Sequence, residues 1–305
     1  MIEWNGTRLS KLCLGTVQFG IEYGVANQNG KPAQQQVDEI LAYVQSAGVN
    51  CFDTAQLYGE SERVLGNYLG SSSLELPMII SKVPSDTFNS DEKSFTGNIK
   101  QSLDRLRIQK LYGLLMHDAE QLKQWSSADA QRVVRLKEEG LIEHFGVSIY
   151  TDDEFHAAIK NPEIELIQIP YNLFDQRGLN KGWFELAKKH NKLIFIRSVY
   201  LQGLLLMEHE AVPHYLETAK PHIQKLEQIC EKLQITRNEL CLSFVNTTAP
   251  DSPLLFGCET LAQAEENIDT FNHTKALRTD ELTEIIDAFK AIDDTIYNPA
   301  KWNRS

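Results

Sequence analysis

The 305-residue chain has no Cys-x-x-Cys pair, no basic stretch leading into an apolar core at its start, and no apolar run approaching membrane-spanning length. Each absence removes a class of protein. Five cysteines (Cys13, Cys51, Cys230, Cys241 and Cys258) are scattered singly, which gives neither zinc-ligand spacing nor a disulfide framework and fits a reducing compartment. Cys13 and Cys51 fall inside apolar runs, where a thiol acts as a small apolar group. The opening Met1-Ile2-Glu3-Trp4-Asn5-Gly6 lacks the pattern of a secretory signal, and no run offers the roughly 20 apolar residues that cross a bilayer. A cytoplasmic location is the expectation. Positive charge is also in short supply: 30 Lys and Arg face 42 Asp and Glu, a net charge of −12. That balance repels nucleic-acid phosphate and anionic lipid, so neither nucleic acid nor membrane is expected as a partner. His209 and His214, five apart without matching acids, make no metal site, and no metal is expected.

Apolar bursts of strand length alternate with segments of helical period. The expected strands are 10–15, 49–53, 77–82, 111–116, 143–148, 164–169, 193–198 and 253–257. The expected helices lie near 34–47, 61–69, 93–107, 127–139, 151–160, 180–190, 222–232 and 260–271. In 127–139, Ala130, Val133, Val134 and Leu136 share one side, with Arg132, Lys137 and Glu138 opposite. The strands are continuously apolar, as in a parallel sheet covered on both faces. Eight such units predict an α/β fold, a closed (β/α)8 TIM barrel, with a doubly wound open sheet as the alternative. No linker divides residues 1–305, so a single domain is expected. Two surplus segments, 236–248 and 279–293, open with good N-cap residues and acidic first turns and predict two additional helices outside the barrel.

Four polar residues then stand out in order. Asp53 and Tyr58 lie in Phe52-Asp53-Thr54-Ala55-Gln56-Leu57-Tyr58-Gly59-Glu60-Ser61-Glu62, Lys82 in Met78-Ile79-Ile80-Ser81-Lys82, and His117 in Leu114-Leu115-Met116-His117. Asp53, Lys82 and His117 each end an apolar run, and parallel α/β proteins bind ligands at the carboxyl ends of their strands. A phenol with a pKa near ~10 gives up its proton reluctantly; an ammonium beside it stabilises the phenolate, and a carboxylate balances a buried ammonium. A neutral imidazole can donate to a carbonyl oxygen. Singly, these residues read as a helix cap, a turn tyrosine and a structural histidine. As an ordered set they read as a proton relay to a carbonyl.

The same residues carry a family resemblance. Leu14-Gly15-Thr16 with Gly20, the Phe52-to-Glu62 motif followed by Leu65-Gly66, Ser81-Lys82, and Ser102-Leu103-Asp104-Arg105-Leu106 through His117 resemble the aldo-keto reductases, as do Gly146-Val147-Ser148, Gln168 with Tyr171-Asn172, and Gly257 through Glu266-Asn267. The likeness covers nearly the whole chain. It implies a (β/α)8 enzyme that reduces an aldehyde or ketone with NADP(H) or NAD(H), with Tyr58 as general acid, Lys82 and Asp53 as its tuning pair and His117 orienting the carbonyl. It also implies that Gly15, Thr16 and Asp53 lie at the cofactor, that Ser148 and Gln168 hold the nicotinamide carboxamide, that Ser198 and Gly203 belong to the following cofactor loop, and that Gly257, Cys258, Glu259, Gln263, Glu266 and Asn267 grip the adenosine half.

Three departures from the family pattern matter. Ile149 follows Ser148 where the family usually has Asn, removing one carboxamide hydrogen bond. Arg197-Ser198 replaces the usual aromatic-Ser before Gly203-Leu204-Leu205; a cation beside a positive, oxidised ring is unfavourable, so Arg197 is expected to lean away or to pair with an acid. Finally, Gly257-Cys258-Glu259-Thr260-Leu261-Ala262-Gln263 holds one acid and no base, which favours a ribose hydroxyl over a 2′-phosphate, whereas family habit favours NADP(H). Lys275 and Arg278 are the basic residues nearby in sequence, and the helix start at Thr260 is a further candidate phosphate seat.

Rim loops set specificity in such barrels. The first loop, 21–32, offers Tyr23 and Asn27 as contacts for substrate hydroxyls, with a solvated connection as the competing reading. Trp125 is a candidate aromatic wall, and the tail 297–302 can fold over the rim or stay free. The expected partner is a small-molecule carbonyl compound, a sugar or sugar derivative being favoured by the polar loops; no residue pattern specifies an oligomeric state. Two other readings compete: a non-catalytic nicotinamide-binding barrel serving as redox sensor or regulatory subunit, and a lyase or isomerase using Lys82 as a Schiff-base nucleophile. A lysine paired to Asp53 stays protonated, which weighs against the last.

Overall fold

The computed structural model describes residues 1–25, 27 and 30–302. Ala26, Gln28 and Asn29 of the expected first loop lie outside the described residues. The chain opens with an antiparallel hairpin, β1 (Ile2–Trp4) and β2 (Thr7–Leu9). Eight strands follow: β3 (Leu12–Gly15), β4 (Cys51–Asp53), β5 (Met78–Val83), β6 (Leu111–Met116), β7 (Ile142–Ser148), β8 (Leu166–Pro170), β9 (Leu193–Arg197) and β10 (Leu254–Phe256). They close into one parallel barrel, β10 pairing with both β9 and β3. The closed (β/α)8 reading therefore stands and the open sheet is excluded.

The helices are α1 (Val17–Gly20), α2 (Gln34–Ser46), α3 (Ser61–Ser71), α4 (Glu92–Leu106), α5 (Ser127–Glu138), α6 (Asp152–Lys160), α7 (Arg177–Asn180), α8 (Trp183–Lys189), α9 (Lys220–Leu233), α10 (Arg237–Thr248), α11 (Leu261–His273), α12 (Thr279–Phe289) and α13 (Asp294–Tyr297). One expectation is corrected here. The segment 236–248 is not an outer helix: α10 buries Leu240 through Val245 without a break, and Phe244 stacks on Tyr171 just beyond β8. The preceding α9 is the outer one, burying only the stripe Ile223, Leu226, Ile229 and Cys230. With α12 it makes up the two additional helices.

Apolar side chains divide between two layers. Phe52, Leu114, Phe145 and Ile167 face outward into the shell of helices. Cys13, Cys51, Ile80, Leu115, Leu166 and Phe195 fill the barrel interior, where Ile2, Leu9 and Trp4 of the hairpin join them and close the N-terminal end. The hairpin is absent from the expected elements. Its signature is Asn5-Gly6, both at positive φ (46° and 78°), the pair that a two-residue hairpin turn requires. Side chains alternate along a strand, so the layer above Cys51, Ile80, Leu166 and Phe195 is formed by Asp53, Lys82, Gln168 and Arg197. An apolar floor thus carries a polar rim. No helix among the described residues is long and apolar enough to cross a membrane.

Candidate active site

The Tyr58 loop is held in place from three sides. Its backbone continues the sheet edge, Thr54 N donating to Ile80 O at 2.8 Å and Gln56 N to Lys82 O at 3.0 Å. Ser61 Oγ donates to Thr16 O at 2.8 Å and contacts Thr54 Oγ1 at 3.0 Å. Glu62, buried, accepts from Ser81 Oγ at 2.6 Å and from Arg105 Nε at 2.7 Å. Gly20 allows the approach: a Cβ there would stand 1.7 Å from Tyr58 O.

Within this frame Lys82 Nζ donates to Asp53 Oδ2 at 2.5 Å, to Thr54 O at 3.0 Å and to Tyr58 Oη at 3.4 Å. Asp53 and Lys82 are 1% and 0% exposed, so their charges are set against each other rather than against water. Burial works to lower the Lys82 ammonium, but Asp53 and Tyr58 outweigh it and hold its pKa above the usual lysine value. Burial pushes the Tyr58 phenol up, with Lys82 the largest influence in the opposite direction. The expected lowering is therefore present as a component, outweighed by desolvation. The His117 ring meets the Tyr58 ring edge-on, centroids 5.4 Å apart. Burial, then Lys82 and Arg197, bring its pKa down to about 4, so the imidazole is neutral at physiological pH and has one N–H to give.

Asp53, Tyr58 and His117 open into a cavity of about 590 Å³, with Lys82 beneath it. The structure brings Gly15, Ser148, Gln168, Arg197, Ser198, Gly203, Gly257, Glu259, Gln263, Glu266, Asn267, Tyr23 and Asn27 to the same cavity. Three expected contacts are not in its lining. Thr16 is fully buried and donates through Oγ1 to Asp53 O at 3.0 Å, tying β3 to β4. Cys258 points into the apolar shell, and burial raises its thiol to about 12. Trp125 packs on Phe88 and Phe145, centroids 5.7 and 6.0 Å away, instead of walling the pocket.

Among the described residues Arg197 pairs with no acid, and it lines the cavity. Its guanidinium donates to Ile149 O at 3.3 Å and lies 4.2 Å from the Tyr150 ring centroid. Lys275 and Arg278 are not in the lining; Arg278 is exposed and paired with Glu281 at 2.9 Å. The tail does fold over the rim: Pro299 and Ala300 line the cavity, and buried Trp302 anchors it by donating Nε1 to Ile296 O at 3.0 Å. Gln18, Tyr150, Tyr200, Gln202 and Asn238 also line the cavity. Tyr150, two residues past Ser148, Gln18, two past Thr16, and Gln202, beside Gly203, had a sequence signal in those neighbours.

A nicotinamide dinucleotide suits these residues. Gln168 gives its amide N–H to Asp53 Oδ1 at 2.8 Å, while its buried amide oxygen has no partner among the described residues; it offers an acceptor beside Ser148 for a carboxamide. Ser198, Leu201, Gln202 and Gly203 all take positive φ, and Leu201 N and Gly203 N donate to Ser198 O and Tyr200 O at 2.9 Å, so the loop beside the cavity is held in its turn by its own backbone. At Gly257 a Cβ would collide with Gln18 Oε1 at 2.3 Å, so the lining there is close-fitting.

Comparison with known proteins agrees with this geometry. The model of the aldo/keto reductase family matches residues 11–290. D-arabinose 1-dehydrogenase of Saccharomyces cerevisiae is 28% identical over 153 residues, 48% of this chain and 44% of that enzyme, so the match spans under half of that relative. An uncharacterised oxidoreductase of Bacillus subtilis is 21% identical over 286 residues, 87% of this chain and 92% of the relative. Among solved structures, an aldo-keto reductase from Bacillus halodurans in its holo form superposes with a TM-score of 0.76 at 18% identity, covering 98% of both chains. The glycerol dehydrogenase of Gluconobacter oxydans gives 0.74 at 20% identity, covering 98% of this chain and 96% of that one. At such identities the superpositions speak for the barrel alone, and membership rests on the family model: the chain belongs to the aldo/keto reductase family.

Proposed function

We propose that the protein reduces an aldehyde or ketone to the alcohol, with NAD(H) as the preferred nicotinamide and a small hydroxylated compound, a sugar or sugar derivative, as substrate. The observation that carries this reading is the relay Asp53–Lys82–Tyr58, at 2.5 and 3.4 Å, beside a neutral His117 in one cavity. Ser148 and Gln168 would hold a reduced nicotinamide, which would supply the hydride to the carbonyl carbon. The chain's own residues manage the oxygen. His117 donates to it and polarises the carbonyl; as the π electrons move onto oxygen, Tyr58 delivers its proton there. Lys82 stabilises the phenolate left behind, and Asp53 keeps Lys82 charged.

Two features support the finer parts of the proposal. Glu259, Gln263, Glu266 and Asn267, which follow β10, line the cavity, and Arg197 is the one Lys or Arg among the described lining residues. A 2′-phosphate would meet carboxylates there, whereas ribose hydroxyls find acceptors. Tyr23, Asn27, Gln202 and Tyr150 give the cavity polar edges suited to hydroxyl groups.

The test is Tyr58→Phe assayed on an aldehyde panel. Turnover is expected to fall by about 10²–10⁴-fold, with NADH affinity, read from quenching of protein fluorescence, nearly unchanged. Retained turnover overturns the mechanism. Tighter binding of NADPH than NADH by about tenfold overturns the cofactor preference while leaving the mechanism standing.

A further inference from the structure

Ser148, Gln168 and Arg197 stand at or near the carboxyl ends of three consecutive strands, β7, β8 and β9, and all three line the cavity. Arg197, partly buried, differs from Lys82, the fully buried cation of the site, in its charge balance. Lys82 is matched by Asp53 at 2.5 Å. Arg197 is fixed instead by neutral groups, the Ile149 carbonyl at 3.3 Å and the Tyr150 ring at 4.2 Å, and forms no ion pair among the described residues. The cavity's other acids besides Asp53, Glu259 just before α11 and Glu266 on it, form no ion pair with Arg197 among the described residues. The field of Arg197 nevertheless reaches the reacting groups, since it opposes protonation of both Tyr58 and His117.

A nicotinamide whose carboxamide meets Ser148 and Gln168, and whose reacting carbon is served by Tyr58 and His117, lies in the cavity that Arg197 also lines. The reduced and oxidised dinucleotides share the same adenosine and diphosphate. They differ at the ring, which is neutral when reduced and positive when oxidised. A cation held in place at partial burial acts on that one difference, because the low local dielectric leaves its charge poorly screened.

We propose that Arg197 is a specificity residue for cofactor redox state, admitting the neutral reduced ring and disfavouring the positive oxidised one. The inference rests on the reading of the cavity as a nicotinamide site. It makes the cavity shed the oxidised dinucleotide after each carbonyl reduction and makes alcohol oxidation the handicapped direction.

The experiment is titration of the wild type, Arg197→Met, Arg197→Gln and Arg197→Lys with NADH and NAD⁺, followed by fluorescence quenching and calorimetry. The quantity read is the ratio Kd(NAD⁺)/Kd(NADH), from which the shared diphosphate and adenosine contributions cancel. Neutralisation in the Met and Gln variants is expected to lower this ratio by about tenfold, while Lys keeps it within about twofold of wild type. A ratio unchanged in either neutral variant that still binds NADH overturns the proposal, and so does an equal fall in the Lys variant. Such an outcome with aldehyde turnover intact leaves the proposed function standing; a wild type that binds neither dinucleotide overturns both.

Discussion

Gln168 donates its amide N–H to Asp53 Oδ1 at 2.8 Å, and Lys82 donates to the other oxygen, Oδ2, at 2.5 Å. One carboxylate therefore joins the proton relay to the proposed carboxamide seat. An ionised carboxylate only accepts, so Asp53 fixes which way the Gln168 amide points and leaves the Gln168 oxygen for a ligand. Relay and seat are built as one unit across β4, β5 and β8.

That coupling gives the first expectation. Gln168→Leu removes the acceptor and should weaken NADH binding by about tenfold. ADP-ribose lacks the nicotinamide and should bind as before. Titrating both ligands checks this; an equal loss for the two would place the effect of Gln168 in the fold rather than at the ring.

His117 gives a pH dependence of definite sign. Its folded-state pKa of about 4 lies below the ordinary 6.5, so between those values the unfolded chain binds more protons. The stability from burying a neutral imidazole is complete above about 6.5 and is lost as pH falls toward about 4, a loss on the order of 3 kcal/mol. Urea unfolding of the wild type and His117→Gln at several pH values from 7.5 to 4.5 reads it. The variant should show the shallower decline, and parallel declines would contradict a buried neutral His117.

Lys11 tests the opposite end of the barrel. Burial draws its pKa down to about 7, with Asp251 opposing, and its ammonium donates to the carbonyls of Ala249, Pro250 and Ser252 at 2.6, 2.9 and 2.7 Å. It ties the start of β3 to the chain leaving α10. Lys11→Met strands three carbonyls and should cost about 3 kcal/mol, seen as a Tm lower by roughly 5 °C. Its kcat should be unchanged, because the site lies at the other rim. Lost turnover at an unaltered Tm would refute this assignment.

The barrel was legible because its strands are short, mainly apolar runs, three of which close on a polar residue, at Asp53, Ser148 and Arg197. What the sequence concealed was direction. Cys258 and Gly257 are neighbours, yet only Gly257 lines the cavity, the Cys258 side chain entering the apolar shell. Trp125 lies near the rim in sequence but turns onto Phe88 and Phe145. The α10 helix has a clear capping box at Thr236 and Glu239, but it is buried on all sides through its middle and so shows no amphipathic stripe to separate it from an outer helix. Asn238 reaches the cavity from that helix, a placement fixed by tertiary packing alone.

The Asp53–Lys82 pair allows stability and chemistry to be separated. Both side chains are at most 2% exposed, so removing one charge strands the other in a medium that solvates it poorly. Lys82→Met should therefore destabilise the protein by about 3–5 kcal/mol, in addition to silencing turnover. Asp53→Asn in the Lys82→Met background removes the stranded carboxylate, and the double variant should regain at least about 2 kcal/mol of that loss. Turnover should not return with it, because Tyr58 still lacks the cation that stabilises its phenolate. Urea unfolding and aldehyde reduction, measured on the two single variants and the double, read the two quantities independently. A double variant no more stable than Lys82→Met would mean that the carboxylate is not the buried counter-charge; one that recovers turnover would mean that the phenol does not depend on the ammonium.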